Sequence, residues 1–131
     1  MQEKGIITKQ STQNFEDTYQ KLRQVIDNNP NLKIILELDH QANAAKADLI
    51  LNPTRIIMFG NPKLGTPLML SSQSTGLDLP QKILVTEDKS GAVHLRYNDP
   101  LYLQDRHNIS DRKEVLTKIS GALDKITNAA I

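Results

Sequence analysis

The apolar positions of this chain change period several times, and each change marks an element. "GIITKQ" at 5–10 is short and β-branched and predicts a first strand. "STQNF" then offers Ser, Thr and Asn as helix N-caps, and Phe15, Tyr19, Leu22, Val25 and Ile26 recur at helical spacing. An amphipathic helix over 13–28 follows, ended by "DNNPN", because Pro30 cannot continue a helix and restricts Asn29 before it. "LKIILELDH" at 32–40 alternates as a second strand, with Ile34, Leu36 and Leu38 on one face and Lys33, Ile35 and Glu37 on the other.

"QANAAKADLI" is Ala-rich and predicts one or two helical turns. "TRIIMFG" at 54–60 is nearly continuous in apolar residues, which predicts a strand central in its sheet. "QKILVTED" and "AVHLRYN" are two further strands, and the "KSG" between them is the short Gly-containing connection of a β-hairpin. Val115, Ile119, Ala122, Leu123 and Ile126 mark a closing helix over 112–128, with Asp111 or Ser110 placed to cap it. The order predicts an α+β fold: a two-layer β-α-β4-α sandwich, its sheet mostly antiparallel and its helices on one face. No repeat or linker interrupts the pattern, so residues 1–131 read as a single domain.

Charge narrows the partners. Sixteen basic side chains against fifteen acidic ones leave a formal charge of +1, and the basic ones are scattered. That gives no footprint for nucleic acid or an anionic membrane, and with aromatics at 4% there is no platform for stacking bases. The absence of cysteine removes thiolate catalysis, disulfides and Cys-ligated metal. No apolar run reaches the length of a membrane span, and "MQEKGIITKQST" lacks the apolar core of a signal peptide. The expectation is a soluble protein, cytoplasmic as written, or exported if Met1 stands in place of a removed leader.

Three stretches carry chemistry. "FGNPKLGTPLM" lacks the spacing of a P-loop or a dinucleotide fingerprint. Its Gly60 and Gly65 can take positive φ, Lys63 can meet an anion, and Thr66 can cap a short helix beginning at Pro67; a plain turn with Leu64, Leu68 and Met69 in the core is the simpler reading. In "LDHQANAAKA", His40 follows a strand beside Asp39, and no second histidine stands at metal-pair spacing. "YNDPLYLQDRHNIS" holds Asp99-Pro100 as a cap and first turn of a short helix over 100–107, which sets Tyr102 and Arg106 one turn apart. Its functional reading is a polar cluster for a carboxylate or cofactor, with His107 as acid, base or axial ligand. His94, mid-strand, reads as outward-facing or packed. No Ser-His-Asp order or nucleophile elbow is visible, and Asp78 in "GLDLPQK" reads as ordering the turn before the fourth strand.

Taken together, these stretches resemble the bacterial domain of unknown function 302 family. Four separated signatures occur in register over residues 4–127: D-H-x-x-x-A at Asp39, His40 and Ala44; F-G-N-P-x-x-G-T-P-L-M at Phe59 through Met69; D-L-P at Asp78 to Pro80; and Y-N-D-P-x-Y-L-x-x-R-H at Tyr97 to His107. The resemblance implies a β-α-β4-α fold similar to the TATA-binding-protein-like superfold, and a homodimer. Relatives of that fold include proteins with apolar cavities between sheet and helix.

Three functions compete. The first is a homodimeric module that binds a small, partly apolar ligand, with "FGNPKLGTP" and "YNDPLYLQDRH" as halves of one pocket or of a dimer contact. Its site would comprise Phe59, Asn61, Lys63, Thr66, Met69, Tyr97, Asp99, Tyr102, Arg106 and His107, with Met58 and Leu68 adding apolar wall and Asn61, Lys63 and Arg106 orienting an anionic group. A special case is haem, with His107 or His40 as proximal ligand. The second is an acid–base enzyme using His107 or His40 with Asp39 or Asp99 as orienter. It ranks below binding, because no nucleophile-plus-base set can be assembled from the sequence. The third is a structural or interaction dimer in which a strongly apolar sheet edge or the "NPKLGTPLM" helix faces its mate.

Overall fold

A computed structural model describes residues 3–131; Met1, on which the leader question turns, lies outside them. The five predicted strands form β1 (Ile6–Ser11), β2 (Lys33–Asp39), β3 (Thr54–Gly60), β4 (Gln81–Glu87) and β5 (Val93–Asn98). Every neighbouring pair is antiparallel, in the order β1-β5-β4-β3-β2. Two long helices, α1 (Phe15–Asp27) and α5 (Lys113–Ala130), lie side by side over one face. Short helices α2 (His40–Lys46), α3 (Pro62–Ser71) and α4 (Pro100–Arg106) and a 3-10 turn at Gln73–Leu77 fill the connections. The expected α+β sandwich is therefore the fold. Its central strand is β4, with β3 inside the sheet but next to the edge strand β2. Among the described residues, no helix is long and apolar enough to cross a membrane.

The core forms where the helix stripe meets the inward face of the strands. Leu22 and Ile26 of α1 and Leu116 and Leu123 of α5 close on Ile57, Ile83, Val85 and Leu95. Each such side chain contributes about 1.5–3 kcal/mol on burial. Asn14 starts α1 by accepting from the Asp17 N–H at 2.8 Å, one of the caps expected in "STQNF". The start of α5 departs from expectation. Its N-cap is Arg112, with no side-chain capping bond, because Asp111 is drawn away to Ser71 and Arg112.

β2 also departs from simple alternation. Its register jumps between Ile34, opposite Phe59, and Leu36, opposite Met58. Ile35 is the extra residue of a bulge, and one extra residue reverses every side chain beyond it. Ile34 thus packs on the helix side, whereas Leu36 turns to the open face, so the two do not share a face as the alternation predicted. Glu37 is brought to the helix side opposite Ile57. There its carboxylate accepts from the Tyr19 hydroxyl at 2.7 Å and pairs with Arg23 at 3.2 Å.

Candidate functional site

The "FGNPKLGTPLM" stretch leaves β3 and enters α3 at once. Asn61 is the N-cap, in extended conformation, and its side chain accepts from the Lys63 N–H at 3.1 Å. Pro62 takes the first helical position, where a missing N–H costs nothing. Thr66 therefore lies within the helix and caps nothing, and Pro67 is interior to it. The Pro67 carbonyl accepts from Arg112 Nε at 3.0 Å, which ties α3 to the start of α5. Positive φ is confined among glycines to Gly5 and Gly91, so Gly60 and Gly65 are not chosen for left-handed backbone.

α3 roofs a cavity of about 410 Å³. Phe59, Leu64 and Met69 form one side, Leu79 and Pro80 a second, and Ile119, Leu123 and Ile126 of α5 the floor. The bulged Ile35 joins the rim. Polar atoms are few, supplied by Lys33, Asn61, Thr66 and Gln81. Phe59 is buried and Thr66 exposed, so the wall grades from dry to wet.

Of the ten residues expected at the site, Phe59, Asn61, Thr66 and Met69 line this cavity. Lys63, Tyr97, Asp99, Tyr102, Arg106 and His107 do not. Lys63 is exposed on α3, and Lys33 is the cation on the wall. Tyr97 is a core residue on β5, 5% exposed, and burial raises its phenol pKa. Asp99 caps α4 by accepting from the Leu101 N–H at 3.0 Å, and Pro100 follows at the first helical position, as the sequence predicted. The Tyr102 ring lies so close over Gly5 that a Cβ there would overlap it.

Arg106 and His107 have a partner not anticipated. Arg106 Nη1 donates to both carboxylate oxygens of Asp78, each at 3.1 Å. The Nε2 of His107 meets the same carboxylate, while its Nδ1 lies 2.8 Å from the Ser74 hydroxyl. Asp78 thus does more than order a turn. The orienters proposed for a histidine, Asp39 and Asp99, are both helix caps instead. Ser74 was not singled out, since nothing local marks a serine that meets its partner 33 residues later. The segment 73–80 links the two motif stretches: Ser74 and Asp78 bind His107, and Gly76, Leu79 and Pro80 line the cavity.

Haem fits this arrangement poorly. None of His40, His94 and His107 lines the cavity, and both nitrogens of His107 are engaged. Met69 is the one side chain of axial-ligand type on its wall. Among the described residues, no group of three or more His, Asp or Glu side chains could hold a metal ion. The dimer contact envisaged through α3 also changes, because Leu68 is 1% exposed and Met69 faces the cavity.

At the end of the β2–β3 pair away from the cavity, on the helix side, Arg55 stacks over the rings of Phe15 and Tyr19, at 5.2 and 4.7 Å from their centroids. It pairs there with Glu16 at 3.4 Å and Asp39 at 3.6 Å. Burial and the Glu37 hydrogen bond push the Tyr19 phenol pKa up strongly, so the hydroxyl stays a donor. These charges are mutually satisfied and close the edge of the core.

Comparison with known proteins agrees with this architecture. The crystal structure of an uncharacterized conserved protein DUF302 from Bacillus stearothermophilus superposes with a TM-score of 0.85 at 16% identity, over 98% of this chain and 100% of that one. The protein named fluoride-specific ion channel FluC 1 in Brucella suis biovar 1 (strain 1330) is 37% identical over 114 residues, covering 87% of this chain and 44% of that protein. The one named fluoride-specific ion channel FluC 2 in Brucella melitensis biotype 1 is 37% identical over the same length and covered to 42%. This chain therefore spans less than half the length of these relatives. The family model described as domain of unknown function DUF302 matches residues 7–126, and the chain belongs to that family.

Proposed function

We propose that this protein binds a small molecule with an apolar body and an anionic head in the cavity under α3. The observation that carries the reading is the cavity itself: about 410 Å³, walled by Phe59, Leu64, Met69, Leu79 and Leu123, with a few polar groups at its edge. Volume and lining are those of ligand pockets in general. Lys33, Asn61 and Gln81 are the groups to orient a carboxylate, with Lys33 adding at most about 1 kcal/mol because it is exposed. The apolar wall then supplies most of the affinity.

Calorimetric titration with straight-chain alkyl carboxylates tests this. Each methylene buried contributes about 0.8 kcal/mol, so Kd falls roughly fourfold per added carbon until the cavity is full. Ala122→Trp, on the α5 side of the wall, fills the space and removes binding while the thermal melt stays cooperative. A Kd independent of chain length, or unchanged in Ala122→Trp, contradicts the assignment.

A second reading, self-association, is favoured by the sheet face that bears no helix. Leu36 and Leu38 pair there with Met58 and Ile56, and Ile56 with Leu84, giving one apolar strip across three strands. A two-fold dimer places such a patch on itself. Fluoride conduction is not carried over from the Brucella names. The region matched here has no helix able to span a membrane among the described residues, so it brings no helical pore of its own.

A further inference from the structure

We propose that Ser74 is a nucleophile activated by His107 and Asp78, and that it accepts acyl groups from carboxylic esters. The geometry is that of a relay: nucleophile to base, base to orienter, with the orienter itself fixed. Ser74 Oγ lies 2.8 Å from His107 Nδ1, and the other ring nitrogen meets Asp78 Oδ2. An aspartate carboxylate only accepts, so in the neutral imidazole the Nε2 proton points to Asp78 and Nδ1 is left with its lone pair. The Ser74 hydroxyl is then the donor in its bond to the ring, which is the arrangement proton removal requires.

Burial is distributed as a nucleophilic site needs it. The His107 side chain is 4% exposed and that of Asp78 14%, while Ser74 is exposed to solvent. Arg106 holds both oxygens of Asp78, and Lys82 Nζ donates to the Asp78 carbonyl at 3.0 Å, so the orienter is anchored from two sides. The His107 N–H donates to the Leu103 carbonyl at the end of α4, which sets the ring's backbone. The Ser72 hydroxyl, 3.3 Å from Ser74 Oγ, is a donor within reach of a developing oxyanion. The ring is used in the reverse sense of the common hydrolase triad, in which serine meets Nε2 and aspartate meets Nδ1.

The chemistry balances without a co-reactant other than water. Ser74 Oγ attacks the ester carbonyl carbon as its proton passes to His107 Nδ1. The carbon–oxygen bond to the alcohol breaks, and the departing oxygen takes that proton. Water then attacks the acyl carbon, gives its proton to His107, and the carbon–Oγ bond breaks with return of the proton to Ser74. The net reaction is ester plus water to acid plus alcohol. The relay stands on its own geometry. The preference for an apolar acyl chain rests on the cavity reading, since Gly76, Leu79 and Pro80 of the same segment line that cavity.

The test is covalent labelling of the purified protein with alkyl fluorophosphonates of short and long chain, read by intact mass and peptide mapping. One adduct at Ser74 is expected, absent in Ser74→Ala checked for a native melt. Asp78→Asn and His107→Gln, each checked for a native melt, should label at least tenfold more slowly. No adduct at Ser74 in the wild type overturns the proposal, as does equal labelling when both relay variants are folded. Faster labelling by the long-chain reagent, lost in Ala122→Trp, supports the acyl pocket. Equal rates for both chain lengths remove that pocket while the relay stands.

Discussion

Asp88 shows how much one side chain can order. Its Oδ1 accepts from the Ser90 N–H at 2.9 Å, the Ser90 hydroxyl at 2.6 Å and the Ala92 N–H at 3.0 Å, closing the β4–β5 hairpin. The Ser90 bond, with backbone help, holds its carboxyl below the usual aspartate range. A folded pKa below the unfolded one means the contribution is present above the unfolded pKa and is lost as pH falls through the folded one. Asp88→Ala should therefore lower Tm at neutral pH, and the gap to wild type should close in acid; a gap that persists in strong acid would rule out the carboxylate as its source. Gly5 is the opposite case, a residue needed for what it lacks. Its φ is +72° and a Cβ would overlap the Tyr102 ring. Gly5→Ala should cost upwards of about 1–3 kcal/mol in denaturant unfolding, and a neutral result would show that the Tyr102 contact is loose. The caps at Asn14 and Asp99 were readable in sequence because a cap acts within two or three residues. Ser74, Asp78 and His107 were not assembled, since His107 lies 33 residues from Ser74 and 29 from Asp78 and only the fold brings it to them.

At the level of elements, α3 shows what a motif of Gly, Asn and Pro does. Asn61 and Pro62 start a helix directly from β3, where the sequence suggested a turn and a later start at Pro67. Gly65 sits inside that helix, and a Cβ added there would meet only Leu79 Cδ1 at 3.7 Å, ordinary contact. A glycine in a helix interior is about 0.5–1 kcal/mol worse than alanine. Gly65→Ala should thus raise stability by that amount in urea melts while narrowing the cavity and weakening carboxylate binding. Tighter binding with lower stability would refute the view that the glycine keeps the cavity open. Strand periods and the turn between β4 and β5 were legible because alternation and Gly-containing connections are local signals. The β2 bulge was not, since "KIILELD" alternates plausibly in either phase and the choice is made by Phe59, Met58 and the demand of Tyr19 for Glu37.

For the whole molecule, the sheet divides two kinds of surface. Its helix side holds the core and the cavity, and its open side carries the Leu36, Met58, Ile56 and Leu84 strip. If that strip joins two copies, light scattering gives twice the chain mass, and Leu36→Glu with Met58→Glu restores the monomer. A wild-type monomer at high concentration would dismiss the dimer without touching the cavity. The two methionines Met58 and Met69 report on these surfaces separately, one on the open face and one on the cavity wall. NMR of the protein labelled with ¹³C at the methionine methyls, titrated with a medium-chain alkyl carboxylate, therefore decides the main point. Binding under α3 shifts the Met69 signal saturably and leaves Met58 in place; a shift of Met58 alone, or of neither, contradicts it.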